Sequence, residues 1–133
     1  MHILLDTNVL LWTVGASGRL DRATTDLLQD PKNTVMFSAA SIWEIAIKTG
    51  LGRPDFQIAP DSIIQTALEG GFIELPVRSE IALRVAVLPH HHRDPFDRLL
   101  IAQAMAEPAI LLTTDRILTR YTDLVTLVGR QSP

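Results

Sequence analysis

The chain is 133 residues long, 47% hydrophobic and free of cysteine, with 12 basic against 15 acidic residues for a formal charge of −3. That length closes one hydrophobic core without covalent staples, and the lack of cysteine excludes disulfides, thiolate zinc sites and a cysteine nucleophile, so any metal must be held by oxygen or imidazole. The start, Met1-His2-Ile3-Leu4-Leu5-Asp6, has no secretion signal, and no apolar stretch approaches the roughly 20 residues of a membrane span; a soluble, cytoplasmic, single domain over 1–133 with no membrane partner is expected.

Ile3 to Leu5 predicts a first strand. Asp21 caps a helix through Leu28 that stops at Asp30-Pro31, and Val35 to Phe37 reads as the second strand. Ser38 caps a helix running to Gly50, after which Leu51 to Pro60, rich in glycine and proline, reads as an exposed loop. Asp61 to Glu69 is a helix closed by Gly70-Gly71, followed by a strand from Phe72 to Leu75. Ser79 with Glu80 starts a helix ending at Pro89. Asp94-Pro95 starts another that ends before Pro108, with proline at a favoured first position. Ile110 to Leu112 and Leu124 to Val128 complete five strands. Short apolar runs alternating with amphipathic stretches predict βαβ units, an α/β fold and a parallel sheet.

Four carboxylates break into or border apolar runs, where a solvated charge is out of place. Asp6 ends Ile3-Leu4-Leu5, Glu44 interrupts Ile42 to Ile47, Asp97 precedes Leu99-Leu100-Ile101-Ala102, and Asp115 closes Ile110 to Thr114. Helices returning between parallel strands begin at the strands' carboxyl edge. All four acids therefore fall on that edge, where open α/β sheets bind ligands. At a separation of about 6 Å and an effective dielectric near 20, each like-charge pair costs roughly 2.8 kcal/mol, and six pairs roughly 17. Partial protonation would relieve this, but a hard divalent cation does so while leaving the acids ionised, and Mg²⁺ or Mn²⁺ matches carboxylate and water ligation. Neutralising four acids also takes the formal charge from −3 to +1, and 10 of the 12 basic residues are arginine, suited to bidentate phosphate contact. Charge thus permits an RNA substrate without arguing for one. The high apolar content is compatible with a partner interface as well as with a dense core.

Each acid also has a purely structural explanation. Glu44 lies three residues after Ser41, as in a capping box, and four before Lys48, as in a helix ion pair. Asp94 could cap the helix in which Asp97 is a first-turn acid, Asp115 could cap a short helix through Ile117 and Leu118, and Asp6 could be a turn residue before Thr7-Asn8. His90, His91 and His92 lie in a proline-flanked loop and cannot all aim at one ion, so an exposed loop or a phosphate contact is expected there rather than a metal site. Arg93, Arg98 and Arg116 flank the acids and either hold RNA phosphate or balance neighbouring charge. Trp12 and Trp43 fit helix packing better than base stacking.

The segments Leu4 to Trp12, Ser41 to Lys48, His92 to Ala104 (His-Arg-Asp-Pro-Phe-Asp-Arg-Leu-Leu-Ile-Ala-Gln-Ala) and Leu112 to Asp115 together resemble PIN-domain proteins, specifically VapC-like toxins of type II toxin–antitoxin pairs. The resemblance covers nearly the whole chain in order. It implies a PIN-like three-layer α/β/α sandwich around a five-stranded parallel sheet, Mg²⁺- or Mn²⁺-dependent ribonuclease activity, a VapB-like antitoxin and a homodimer. Carried over by position, Asp6, Glu44, Asp97 and Asp115 become the catalytic and metal-holding acids. Thr113, Asp94 and Asn8 support them, Asp94 as a cap. The implied mechanism is metal-assisted phosphodiester hydrolysis, with Asp6 and Asp97 as core ligands. Two rivals remain beside it. One is a non-catalytic PIN-like interaction module, and the other a Rossmann-like phosphohydrolase using Asp6 as nucleophile, disfavoured because position 8 is Asn rather than a second acid.

Overall fold

The computed structural model describes residues 1–15, 20–51 and 59–129. Five strands, β1 (His2–Leu5), β2 (Thr34–Ser38), β3 (Ile73–Leu75), β4 (Ile110–Thr113) and β5 (Val125–Leu127), form one sheet in the order β3-β2-β1-β4-β5. Every pairing is parallel, with Leu5 opposite Phe37 on one side and Leu112 on the other. Among the described residues six helices connect them: α1 (Thr7–Val14), α2 (Arg22–Gln29), α3 (Ala39–Gly50), α4 (Pro60–Glu69), α5 (Ser79–Arg84) and α6 (Pro95–Ala106).

Alternation along the central strands builds three layers. Ile3, Leu5, Val35, Phe37 and Leu112 point to one face, where they pack with Val9 and Leu10 of α1, Ile45 of α3 and Ile63 of α4. Leu4, Met36 and Leu111 point to the other face, against Leu100, Ile101 and Ala104 of α6. β1 is buried from Ile3 to Leu5, as a central parallel strand covered on both faces must be.

The five expected strands are present, and the expected helices match α2 to α6 with two differences. The helix expected from Ser79 to Pro89 ends at Arg84 and tightens into a 3₁₀ turn, Val85–Val87. There the carbonyls of Val85 and Leu88 accept hydrogen bonds from the Arg98 guanidinium at 2.8 and 3.4 Å, which draws them away from a continuing helix. The second difference is α1, for which the sequence pattern predicts no bounds, although Trp12 within it fits helix packing. Its sequence, Thr-Asn-Val-Leu-Leu-Trp-Thr-Val, has no charged face, so periodicity does not reveal it, and its four β-branched residues weaken the helix propensity. The expected loop from Leu51 to Pro60 falls largely on residues 52–58, outside the described residues.

Candidate metal centre

The strand order reverses between β1 and β4, which places the crevice of this sheet outside their carboxyl ends. Asp6 leaves β1 there, its N–H donating to the Leu112 carbonyl at 3.0 Å. Its carboxylate N-caps α1, Oδ1 accepting from the Val9 N–H at 2.8 Å, while Oδ2 accepts from the Thr113 hydroxyl at 2.5 Å. Thr113, the fully buried last residue of β4, accepts in turn from the Asp115 N–H at 3.0 Å. One hydroxyl thus ties Asp6 to the segment carrying Asp115. Asp6 is 4% exposed, and burial, with Glu44 nearby, pushes its pKa up to about 6 despite these hydrogen bonds.

Glu44 arrives on α3, which begins where β2 ends and is capped by Ser38, whose Oγ accepts from the Ala40 N–H at 3.0 Å. Ser41 is therefore not the cap. Its hydroxyl lies 3.0 Å from Thr7 Oγ1, which stands 2.6 Å from Glu44 Oε1; the single Thr7 hydrogen goes to the carboxylate, the stronger acceptor. The expected ion pair to Lys48 is present, Nζ lying 2.7 Å from Glu44 Oε2.

Asp97 sits in the first turn of α6. Asp94 caps that helix, its Oδ1 accepting from the N–H groups of Phe96 at 2.8 Å and Asp97 at 3.3 Å, with Pro95 at the favoured first position. Burial pushes the Asp97 carboxyl up to about 7, and the charges of Asp94, Asp6 and Glu44 act in the same direction against the opposing effect of His92. Asp115 caps the 3₁₀ turn Arg116–Arg120, as one structural explanation of it required, Oδ1 accepting from the Ile117 N–H at 2.9 Å. Its Oδ2 lies 2.6 Å from His92 Nε2, and Asp97 Oδ2 lies 3.5 Å from the same nitrogen. The four acids thus share one neighbourhood: Asp6, Glu44 and Asp97 through their fields, Asp115 through Thr113 and His92. A cavity of about 750 Å³ against Trp12, Leu28, Pro31 and Phe72 contains none of them.

Three expectations change here. Arg98 is not placed to hold phosphate: at 7% exposure its guanidinium donates to the carbonyls of Pro89, Val85 and Leu88 and to the Tyr121 hydroxyl, which straps the 85–92 segment to α6. Arg98→Ala removes these hydrogen bonds from three partly buried carbonyls and is expected to cost roughly 2 kcal/mol, read as a lowered melting temperature. Trp43 is not buried between helices: it is 62% exposed on α3, and its ring meets Phe96 of α6 edge to face at 5.2 Å. Within the histidine run, His92 contacts the acids while His91 packs edge to face on Tyr121. Only the fold could distinguish these adjacent, chemically identical side chains. Arg93, Arg116 and Asn8 are exposed, Asn8 in the first turn of α1.

The PIN domain matches this chain over residues 3–124. The chain belongs to the PIN-domain family. Its fold is shared with several solved structures. VapBC2 from Rickettsia felis, solved bound to a DNA fragment from its promoter, is 16% identical with a TM-score of 0.69, covering 97% of this chain and 100% of that one. VapBC-1 from nontypeable Haemophilus influenzae is 15% identical with a TM-score of 0.61, covering 97% and 98%. Mycobacterium tuberculosis VapC20, a toxin that cleaves the sarcin–ricin loop, is 13% identical with a TM-score of 0.54, covering 89% and 93%. At these identities the likeness is one of fold. No curated protein matches the chain. Among the described residues of this PIN domain, no helix is long and apolar enough to cross a membrane.

Proposed function

We propose that this PIN-domain protein is a divalent-metal-dependent endoribonuclease, acting as the toxin of a type II toxin–antitoxin pair. One observation carries the reading: two carboxylates at the sheet's carboxyl edge, Asp6 and Asp97, are buried enough to be pushed up to about 6 and 7, Asp6 within the field of Glu44 and Asp97 within the fields of both Asp6 and Glu44. That arrangement is costly and calls for a cation. The donor set is oxygen-rich, which fits Mg²⁺ or Mn²⁺, with Asp6 and Asp97 as principal ligands and Glu44 and Asp115 completing the site directly or through water. Such a cation, when bound, supplies positive charge at a phosphodiester and acidifies a water at neutral pH.

The remaining work falls to the chain. Thr113 and the Val9 N–H fix the Asp6 carboxylate by both oxygens, and Asp94 fixes the start of the helix presenting Asp97. Lys48 and Thr7 hold Glu44 in place and offset its charge. Exposed Arg93 and Arg116 are available to the phosphate backbone of an RNA. Trp43, Ile47 and Leu51 recur every four residues along α3 and its end, all exposed, beside Glu44. Such a stripe supports a protein partner, in this reading a VapB-like antitoxin laid over the acids, in a toxin that is itself a homodimer in the cytoplasm.

The test is to purify the chain without partner and map cleavage ends on total RNA with Mg²⁺, with Mn²⁺ and with chelator. Cleavage that needs the cation and disappears in Asp97→Asn is expected; cleavage undiminished in that variant would end this reading. A chain that binds no Mg²⁺ or Mn²⁺ by calorimetry would instead favour the interaction module.

A further inference from the structure

Three contacts fix the orientation of the His92 ring. Its backbone N–H donates to the Tyr121 hydroxyl at 2.9 Å, and that hydroxyl also accepts from Arg98 Nη1 at 3.2 Å. Its Nδ1 accepts from the Asp94 N–H at 3.0 Å. Its Nε2 faces Asp115 Oδ2 at 2.6 Å and Asp97 Oδ2 at 3.5 Å. A flipped ring would turn carbon atoms toward both the amide and the carboxylates, so these contacts determine the ring placement.

We propose that His92 is a positioning residue that donates from Nε2 to hold Asp115, and is not itself a metal ligand; this rests on the metal-dependent nuclease reading above. The tautomer decides between the two roles. Nδ1 confronts a main-chain N–H and cannot carry a hydrogen of its own, so the neutral ring bears its hydrogen on Nε2. A nitrogen bearing hydrogen has no lone pair for a cation. The Nε2 atom and the Asp97 and Asp115 oxygens lie within 4.8 Å of one another, a spacing that would also suit a three-ligand site, but the imidazole contributes a donor to that cluster.

The consequence falls on Asp115. Its Oδ1 is held by the Ile117 N–H and its Oδ2 by His92, so the carboxylate is fixed by both oxygens while each keeps lone pairs for a cation. Through the same ring, the end of β4 is joined to the N-terminus of α6, where the Asp94 N–H holds the imidazole and the Asp94 carboxylate caps the helix bearing Asp97. Residues that orient ligands in this way are typically worth about 10–100-fold in metal affinity.

The ring hydrogen can be located in the metal-free protein at pH 8 from long-range ¹⁵N–¹H correlations. An Nε2–H tautomer is expected, and an Nδ1–H tautomer would overturn the proposal. Mn²⁺ affinity measured by electron paramagnetic resonance should fall about 10–100-fold in His92→Ala and largely return in His92→Gln, whose amide N–H reaches the place of Nε2. Wild-type Mn²⁺ should show no directly bonded nitrogen. Equal affinity in His92→Ala, or nitrogen bonded to Mn²⁺, would overturn the assignment. A wild-type protein with the Nε2–H tautomer that binds no Mn²⁺ would overturn the nuclease reading while upholding the hydrogen bond to Asp115.

Discussion

Asp6→Asn is expected to reduce metal-dependent RNA cleavage by at least about a hundredfold, beyond the loss typical of a residue that only supports a ligand, and to raise the melting temperature of the metal-free protein. The two effects share a cause. Above pH 7 the Asp6 carboxylate is ionised in the folded chain although burial has moved its pKa from 3.8 to about 6, a difference worth about 3 kcal/mol against the fold. Asparagine removes the charge and keeps the shape. Its carbonyl oxygen still accepts from the Val9 N–H and preserves the α1 cap, while its amide donates to the Thr113 oxygen, which already accepts from the Asp115 N–H, and turning the Thr113 hydrogen away from its carboxylate acceptor offsets part of the gain. A gain of roughly 1–3 kcal/mol is expected, several degrees for a chain of this size. Calorimetry at pH 8 beside a cleavage assay reads both. A melting temperature that falls in the variant would mean that the carboxylate's hydrogen bonds outweigh its burial, and the electrostatic case for a cation would weaken with it.

The placement of the acids was legible in the sequence because a carboxylate beside an apolar run is a local oddity, and parallel topology sends both strand ends and helix starts to one edge. The partners of those acids were not legible. Thr7 meets Glu44 across 37 residues, Thr113 meets Asp6 across 107, and His92 meets Asp115 across 23, so no spacing rule reports them. Arg98 shows the same limit from the other side. Next to Asp97 in sequence it suggests charge balance or phosphate, yet one residue along a helix turns the side chain by about 100°, and it serves the 85–92 segment instead. Helix α1 is not legible in the sequence because a mostly apolar helix with buried Thr7, Val9 and Leu10 has no continuous polar face to give a period. Its one local signal was the cap, and Asp6 reads equally as a turn residue or a ligand until the fold shows it capping α1.

Mn²⁺ is expected to raise the melting temperature strongly at pH 8 and hardly at all at pH 5. Burial pushes Asp6 and Asp97 up to about 6 and about 7 in the folded metal-free chain, above the ordinary carboxylate value of 3.8 that governs the unfolded chain. Between these limits the folded state binds more protons than the unfolded state, so the metal-free protein gains stability as the pH falls from about 8 toward 4 and loses it as the pH rises through 6 and 7. Cation binding runs the opposite way, because it needs these groups ionised and must displace their protons below pH 7. At a concentration a hundred times its dissociation constant, a cation adds about 2.7 kcal/mol at pH 8, and that increment vanishes as protons take its place. Melting curves with and without Mn²⁺ should therefore converge near pH 5. In the Asp6→Asn, Asp97→Asn double variant, the metal-free curve should lose most of its slope between pH 5 and 8, since the two groups responsible are gone. An Mn²⁺ shift of equal size at pH 5 and pH 8 would place the cation away from these acids, and no shift at pH 8 would remove the metal from the proposed chemistry.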